Sequence, residues 1–204
     1  MQVLSVEPIA AADLLAGLQR VPLRDGVARP YATARLALEV VDTDTLAPAQ
    51  NYVLASGVER VLRLREALEP FDVDPFALLG GVWLTTSAGR VPLLPPVVEE
   101  SLEPDGTTAL LVADGLHRVS AARSTGLPLT VVLVRGVDAG MPYYAFPLVE
   151  GWDGVEVLDA LPEGRQKKAY RQPQSYKALF RDFNAVFPGV QEQRAQTNPA
   201  HLRA

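Results

Sequence analysis

Asp114-Gly-Leu-His-Arg118 puts an acid, a glycine, an imidazole and a guanidinium into five consecutive residues. The segment lies where an apolar run, Thr108-Ala-Leu-Leu-Val-Ala113, gives way to a helical pattern over Leu116 to Thr125. The first turn of a helix carries N–H groups that the helix cannot satisfy and the positive end of its dipole, so it favours anions. Gly115 lets the backbone approach a ligand with no Cβ in the way. Arg118 offers a planar fork matched to the two oxygens of a phosphate, and His117 can donate a further hydrogen bond. Asp114 only accepts when ionised, so its part is to orient the turn, His117 or a magnesium ion rather than to touch phosphate. An ordinary Asp-Gly turn followed by a solvated helix start would use the same residues. Spacing alone leaves both readings open.

The elements around this segment must hold it. Gly126 caps the helix, Pro128 forbids its continuation, and Leu129-Thr-Val-Val-Leu-Val134 is a β-branched strand. A strand–helix–strand unit with so short a helix predicts a small mixed α/β (α+β) domain. Upstream, residues 9–19 read as a short helix with Leu14, Leu15 and Leu18 at helical spacing, and Arg35 to Val41 alternates as a strand does. Asp42-Thr-Asp44 ends that strand and Leu46-Ala-Pro-Ala-Gln-Asn51 reads as a loop. Ser56 is placed to cap a helix running to Glu69, stopped by Pro70, with Glu59–Arg63 and Arg65–Glu69 as i,i+4 pairs. Short strands are expected at Val82–Thr86 and Pro96–Val98, and one or two more around Tyr144–Val149 and Gly154–Leu158. Ser175 to Phe187 reads as an amphipathic helix with Tyr176, Leu179, Phe180, Phe183 and Phe187 on one face. Lys177, Arg181 and Asp182 fall on the other.

Composition excludes several chemistries. Without cysteine there is no thiolate nucleophile, disulfide framework or zinc ribbon. His117 and His201 are the two histidines, too few for a multi-histidine metal site. The first lysine is Lys167, so a P-loop is absent. No apolar run reaches the roughly 18 residues a membrane span needs. The start Met1-Gln-Val-Leu-Ser-Val-Glu7 lacks the basic opening of a secretion signal, which makes a cytoplasmic location the expectation.

Residues 111–134 resemble the central motif of the ParB/sulfiredoxin superfamily, in which a strand leads into DG-x-HR, a helix with small residues, a glycine and a β-branched strand. Pro95-Pro-Val-Val98 is similar to the strand preceding that motif, and Val41-Asp42 to Leu46-Ala-Pro48 to its opening strand and loop. The resemblance covers roughly residues 35–135 and implies a compact nucleotide-binding fold, with the domain expected to span residues 35–160. A helical segment would precede it at 1–34 and a basic extension with one helix would follow at 161–204. It implies phosphates at the start of the 116–125 helix, with Asp114, Gly115, His117, Arg118 and Ser120 as the nucleotide-binding set. Sulfiredoxins carry a catalytic cysteine before the His-Arg pair; Leu116 stands there, which excludes sulfinic acid reduction. ParB-type partition proteins bind CTP and add a helix-turn-helix, for which residues 136–204 show too few helices.

The DG-x-HR form is nearest that of the free-serine kinases, which use ATP or ADP with magnesium and a glutamate in the loop after the first strand. Residues 46–51 hold no carboxylate. Glu99 and Glu100, just after Pro-Pro-Val-Val, therefore join Asp114 as candidate catalytic acids, with Glu59, Asp42 and Asp44 as weaker ones. The leading expectation is an ATP- or ADP-dependent phosphotransferase acting on a small hydroxyl-bearing metabolite. The alternative is a non-catalytic nucleotide-sensing or DNA-associated regulator.

Charge is uneven. Residues 1–160 hold 21 acids and 11 arginines, a net of −10, whereas residues 161–204 hold 3 acids, 5 arginines and 3 lysines, a net of +5. Arg165 to Arg181 interleaves six cations with Tyr170, Tyr176 and Phe180, a pattern that can bind single-stranded nucleic acid. The aromatic face and the acidic body favour a tail folded onto the body, with Lys167, Lys168 or Arg171 beside a nucleotide. Nucleic acid is the lesser reading.

Overall fold

Leu129 to Val134 is buried at every residue, which a strand achieves only when both faces of its sheet are covered. The computed structural model describes residues 2–161, 163, 164 and 166–191. In chain order its elements are β1 (Val3–Ile9), α1 (Ala11–Gln19), β2 (Arg35–Val41), β3 (Leu46–Ala47), β4 (Tyr52–Leu54) and α2 (Ala55–Leu68). Then come β5 (Gly81–Thr86), β6 (Gly89–Leu93), β7 (Val97–Leu102), β8 (Thr108–Asp114), α3 (Leu116–Thr125), β9 (Leu129–Arg135) and β10 (Glu156–Leu158). The fold is α+β.

The main sheet has the order β2-β9-β7-β8-β3. β9 runs antiparallel to β2 and parallel to β7, while β7 and β8 pair antiparallel. Period-2 alternation divides the central strands between two apolar layers. Val97, Val132 and Val134 pack with Leu14 and Leu18 of α1 and with Phe183 and Phe187. Val98, Val112, Val131 and Leu133 pack with Val119, Ala121 and Ala122 of α3, against which Val58, Val61 and Leu62 of α2 lie. Helices thus cover one face, and α1 with the C-terminal segment covers the other. A second sheet, β1-β5-β6, sits beside this body, its Val82, Leu84 and Leu93 packed with Leu68 of α2 and Leu78. β10 and β4 form a short parallel pair.

Several local expectations change. The first segment opens with a strand, β1, ahead of its helix, because Val3 to Ile9 finds an antiparallel partner in β5. β6 is an additional strand, paired to β5 across a tight turn. The α2 cap is Leu54 with no side-chain bond, not Ser56, and Arg65 pairs with Asp74 rather than Glu69. Tyr144–Val149 forms no strand beyond the single bridge Ala145–Tyr170.

The largest correction concerns Ser175 to Phe187. Instead of one helix there are two 3-10 turns, Tyr176–Leu179 and Phe183–Ala185, separated by an extended stretch in which Arg181 bridges Leu23. The Asp182 side chain accepts from the Ala185 N–H and starts the second turn. Arg181 is not on a solvated face: it is 3% exposed. Its Nε and Nη2 each donate to Glu99 at 2.9 Å, and its remaining N–H groups donate to the carbonyls of Pro142, Leu179 and Met141. The Tyr31 hydroxyl donates to the same carboxylate at 2.6 Å. Burial alone would depress the Arg181 pKa, but the Glu99 carboxylate and Tyr31 together outweigh it and the net shift is upward. Arg171 likewise donates to Glu103 at 2.6 Å with both side chains nearly buried, and Lys168 to the hydroxyls of Tyr143 and Tyr144. The described part of the basic tail is folded onto the acidic body.

Two predictions arise here. Arg181→Met leaves Glu99 buried without its cation and lowers stability by about 3–5 kcal/mol in urea unfolding, and Glu99→Gln in that background recovers part of the loss. Burial pushes the Tyr31 and Tyr143 hydroxyls well above the usual tyrosine pKa and Tyr144 up to about 12. Unfolded tyrosines release their protons near pH 10, so above that pH the unfolded state binds fewer protons than the folded one. Unfolding free energy accordingly falls as pH rises from about 10 toward 12, by about 1.4 kcal/mol per unit for each tyrosine still protonated when folded. Denaturant titrations between pH 9 and 12 measure the slope.

Candidate functional site

β8 delivers Asp114 to the end of the sheet opposite Val97, past an irregularity in the β7 register. Gly115 then turns the chain into α3 at φ +87, where a Cβ would stand 2.9 Å from Cβ of Pro96. Both left-handed backbone and close packing therefore call for glycine. Its carbonyl accepts from Arg118 N at 2.8 Å and Val119 N at 3.1 Å, closing the first turn. The expected strand, turn, helix and Gly126 cap all form within a residue of their expected limits.

Arg118 folds back over Gly115, with Nη2 3.1 Å from where a Cβ would be. Its side chain is 11% exposed, and among the described residues its Nη1 is buried without a hydrogen-bond partner. Asp114 Oδ2 lies 3.9 Å from Nη2, an electrostatic neighbour beyond hydrogen-bond reach. Burial lowers the Arg118 pKa from the ordinary arginine value while Asp114 opposes the shift. Two residues along α3, the Ser120 hydroxyl is also buried and unpartnered.

His117 turns toward α2. Its Nε2 accepts from the Leu54 N–H at 3.3 Å, so the neutral ring carries its proton on Nδ1. The ring lies against Gly57, where a Cβ would come within 2.5 Å of Nε2. The imidazole is thus wedged between the starts of α2 and α3, and two positive helix ends approach one another there. This convergence is absent from any local pattern, since α2 opens on three small residues, Ala55, Ser56 and Gly57, of which the third receives the ring.

Asp114, Gly115, His117, Arg118 and Ser120 come together as consecutive residues must, but the other candidate acids do not join them. β7 extends through Glu99 and Glu100 instead of ending at Val98, and pairs them with Leu111 and Leu110. That register sets them two and three residues beyond the position opposite Asp114, about 7 Å and 10 Å along β7. Glu99 faces inward, 1% exposed, and is held by Arg181 and Tyr31. Glu100 faces the other way, 3.5 Å from Arg135 Nε, and Arg135 also pairs with Glu39. Neither carboxylate is placed to serve as a base at Asp114. Glu59 pairs with Arg63 on the exposed side of α2, Asp42 caps a 3-10 turn, and Asp44 accepts from Arg123 at 2.7 Å. His201 lies outside the described residues.

Sequence reasoning missed Gln191, whose Nε2 donates to Asp114 Oδ1 at 2.9 Å from 77 residues away. Among the described residues no group of three or more histidines, aspartates and glutamates could hold a metal ion by itself. A magnesium ion here would have to rest largely on ligand oxygens, with Asp114 as the protein's contribution. Open depressions of about 460 Å³ beside Ser56, Arg60 and Arg63, and about 430 Å³ beside Asp42, Asp44 and Arg123, do not include residues 114–120. Among the described residues no helix is long and apolar enough to cross a membrane.

A mixed sheet backed by two helices, with Asp-Gly-x-His-Arg at the β8–α3 junction, defines a ParB-like domain. The family model described as the ParB CE domain matches residues 13–156, and the chain belongs to that family. No curated protein and no solved structure matches it.

Gly57→Ala tests the wedge. The added methyl forces the His117 ring to move, costing about 1–3 kcal/mol in thermal or chemical unfolding. The ring resonances of His117 shift in NMR spectra while those of His201, the other histidine, serve as the internal reference.

Proposed function

We propose that this protein binds a nucleotide by its phosphates at the start of α3, ATP or ADP first and CTP as the other candidate. Arg118 carries the reading. A guanidinium nine-tenths buried, with one terminal nitrogen unpaired, is an incomplete arrangement that a bound anion completes. Leaving such a donor unsatisfied costs about 1–3 kcal/mol, and a phosphate oxygen restores the bond. The α3 N-terminus and Ser120 add donors, and Gly115 removes the side chain that would hold a ligand off. Magnesium would lie between the phosphates and Asp114.

In the phosphotransferase reading the acceptor is a small hydroxyl-bearing metabolite. Arg118 holds the phosphates in place, and Asp114 is the one carboxylate of the expected catalytic set beside the anion site. Its role is to orient the nucleophile, which suits a reaction dominated by positioning and charge neutralisation. Nucleotide sensing without chemistry is the second reading. The engagement of Glu99 with Arg181 and of Glu100 with Arg135 favours it, because two of three candidate bases are taken. Nucleic-acid binding loses support from the tail, where Lys168, Arg171 and Arg181 all donate to groups of the body.

Thermal shift with ATP, ADP and CTP, each with magnesium, decides the core of the proposal. A nucleotide at 100 times its Kd stabilises by about 2.7 kcal/mol, a rise of about 5–10 °C in a chain of this size, and Arg118→Ala abolishes it. No shift with any nucleotide overturns the proposal. Nucleotide consumption that needs an added hydroxyl compound and disappears in Asp114→Asn establishes transfer; binding with no consumption across a metabolite screen establishes sensing.

A further inference from the structure

Asp114 and Arg118 stand four residues apart across the start of a helix, a spacing at which opposite charges ordinarily meet. Their side chains are only 19% and 11% exposed, so little water screens the attraction. A two-point pair between them would take two of the five guanidinium N–H donors and neutralise the charge that draws an anion. They nonetheless stand 3.9 Å apart.

The Gln191 amide engages the other oxygen of the carboxylate, donating to Asp114 Oδ1 at 2.9 Å while Oδ2 is the one facing Arg118. Gln191 is itself fixed. Its N–H donates to Asn184 Oδ1 at 3.1 Å, and its carbonyl accepts from Asn184 Nδ2 at 3.0 Å. Asn184 Oδ1 also accepts from the Gly189 N–H, so one side chain ties the loop at three points. Phe183 and Phe187 bury the base of that loop against α1, and Val190 packs beside them. The amide therefore arrives on a rigid support and holds one carboxylate oxygen turned away from Arg118.

We propose that Gln191 is a positioning residue: by holding the Asp114 carboxylate off Arg118, it keeps the buried guanidinium available to an anionic ligand. The C-terminal segment thereby completes a site whose other residues lie on β8 and α3. The role of the ligand rests on the function proposed above; the holding of Asp114 does not.

The test uses the full chain and Gln191→Met, which keeps the side chain's length and removes its donor. Thermal unfolding of Asp114→Ala, Arg118→Ala and the double variant gives the coupling between the two charges. The coupling is expected to rise by about 2–4 °C in the Gln191→Met background over its value with Gln191 present, as the released carboxylate closes on Arg118. Equal coupling in both backgrounds overturns the proposal, whatever the ligand. Calorimetric titration with inorganic pyrophosphate supplies the second arm. Gln191→Met is expected to weaken binding about tenfold, and to change nothing once Asp114 is alanine. The same loss in the Asp114→Ala background, or no loss in the wild-type one, overturns it. If the wild-type chain binds no pyrophosphate and shows no thermal shift with ATP, ADP or CTP while the coupling still responds to Gln191, the nucleotide reading falls and the positioning role stands.

Discussion

A carboxylate 1% exposed between the layers of a β-sheet protein has to be answered by a cation and by hydrogen bonds, or it will not remain charged there. Glu99 is answered by Arg181, and every N–H of that guanidinium is used: on the two carboxylate oxygens and on the carbonyls of Pro142, Leu179 and Met141. Tyr31 adds its hydroxyl from the segment between α1 and β2. One buried charge thus draws together the central sheet, the stretch before β2, the turn near Met141 and the C-terminal segment. The rest of the architecture depends on that convergence. It places Phe183 and Phe187 over α1, and they in turn support the loop that carries Gln191 to Asp114. The tail is part of the body because its arginine is the counter-charge of the sheet.

The parts of the molecule legible in sequence are those set by neighbours in the chain. The β8–α3–β9 unit is readable because an apolar run, a left-handed glycine, a C-cap glycine, Pro128 and a β-branched run act within a few residues of one another. The Asp114–Arg118 cluster is legible for the same reason. Glu99 and Glu100 were misplaced because Pro-Pro-Val-Val suggested a short strand, whereas the strand continues and its alternation sends one acid inward and the other to Arg135. Arg181 was misplaced because a helical period fits 175–187 well. Asp182 is the overlooked sign, since an aspartate ahead of an apolar residue starts a new turn as readily as it decorates an old one. Gln191 and the wedge of His117 against Gly57 have no local signature, for their partners lie 77 residues away in one case and on another helix in the other.

The candidate site is assembled on a principle of withheld satisfaction. Most buried polar groups here are paired, several of them with unusual completeness, as Arg181 and Asn184 show. Among the described residues five buried side-chain atoms lack partners, Asn51 Oδ1, Trp152 Nε1 and Arg171 Nε together with an Arg118 nitrogen and the Ser120 hydroxyl, and the last two lie within two residues of each other at the start of α3. The α3 start lies beside them, and the nearest carboxylate, Asp114, accepts the Gln191 amide on its other oxygen. These are the features on which the proposed anion site rests.

Glu99 and Arg181 are separated by 82 residues, which has a consequence for how the chain is made. At the usual pace of about 5–20 residues per second, a ribosome adds roughly 4–16 s of polypeptide between the acid and its counter-charge. During that interval β7 can pair with β8 and β9, but Glu99 must stay hydrated, so the face that α1 and the aromatic residues finally cover stays open. The native arrangement of this face is therefore completed only once residue 181 has been added. A chain that lacks Arg181 also lacks the counter-charge that lets Glu99 be covered.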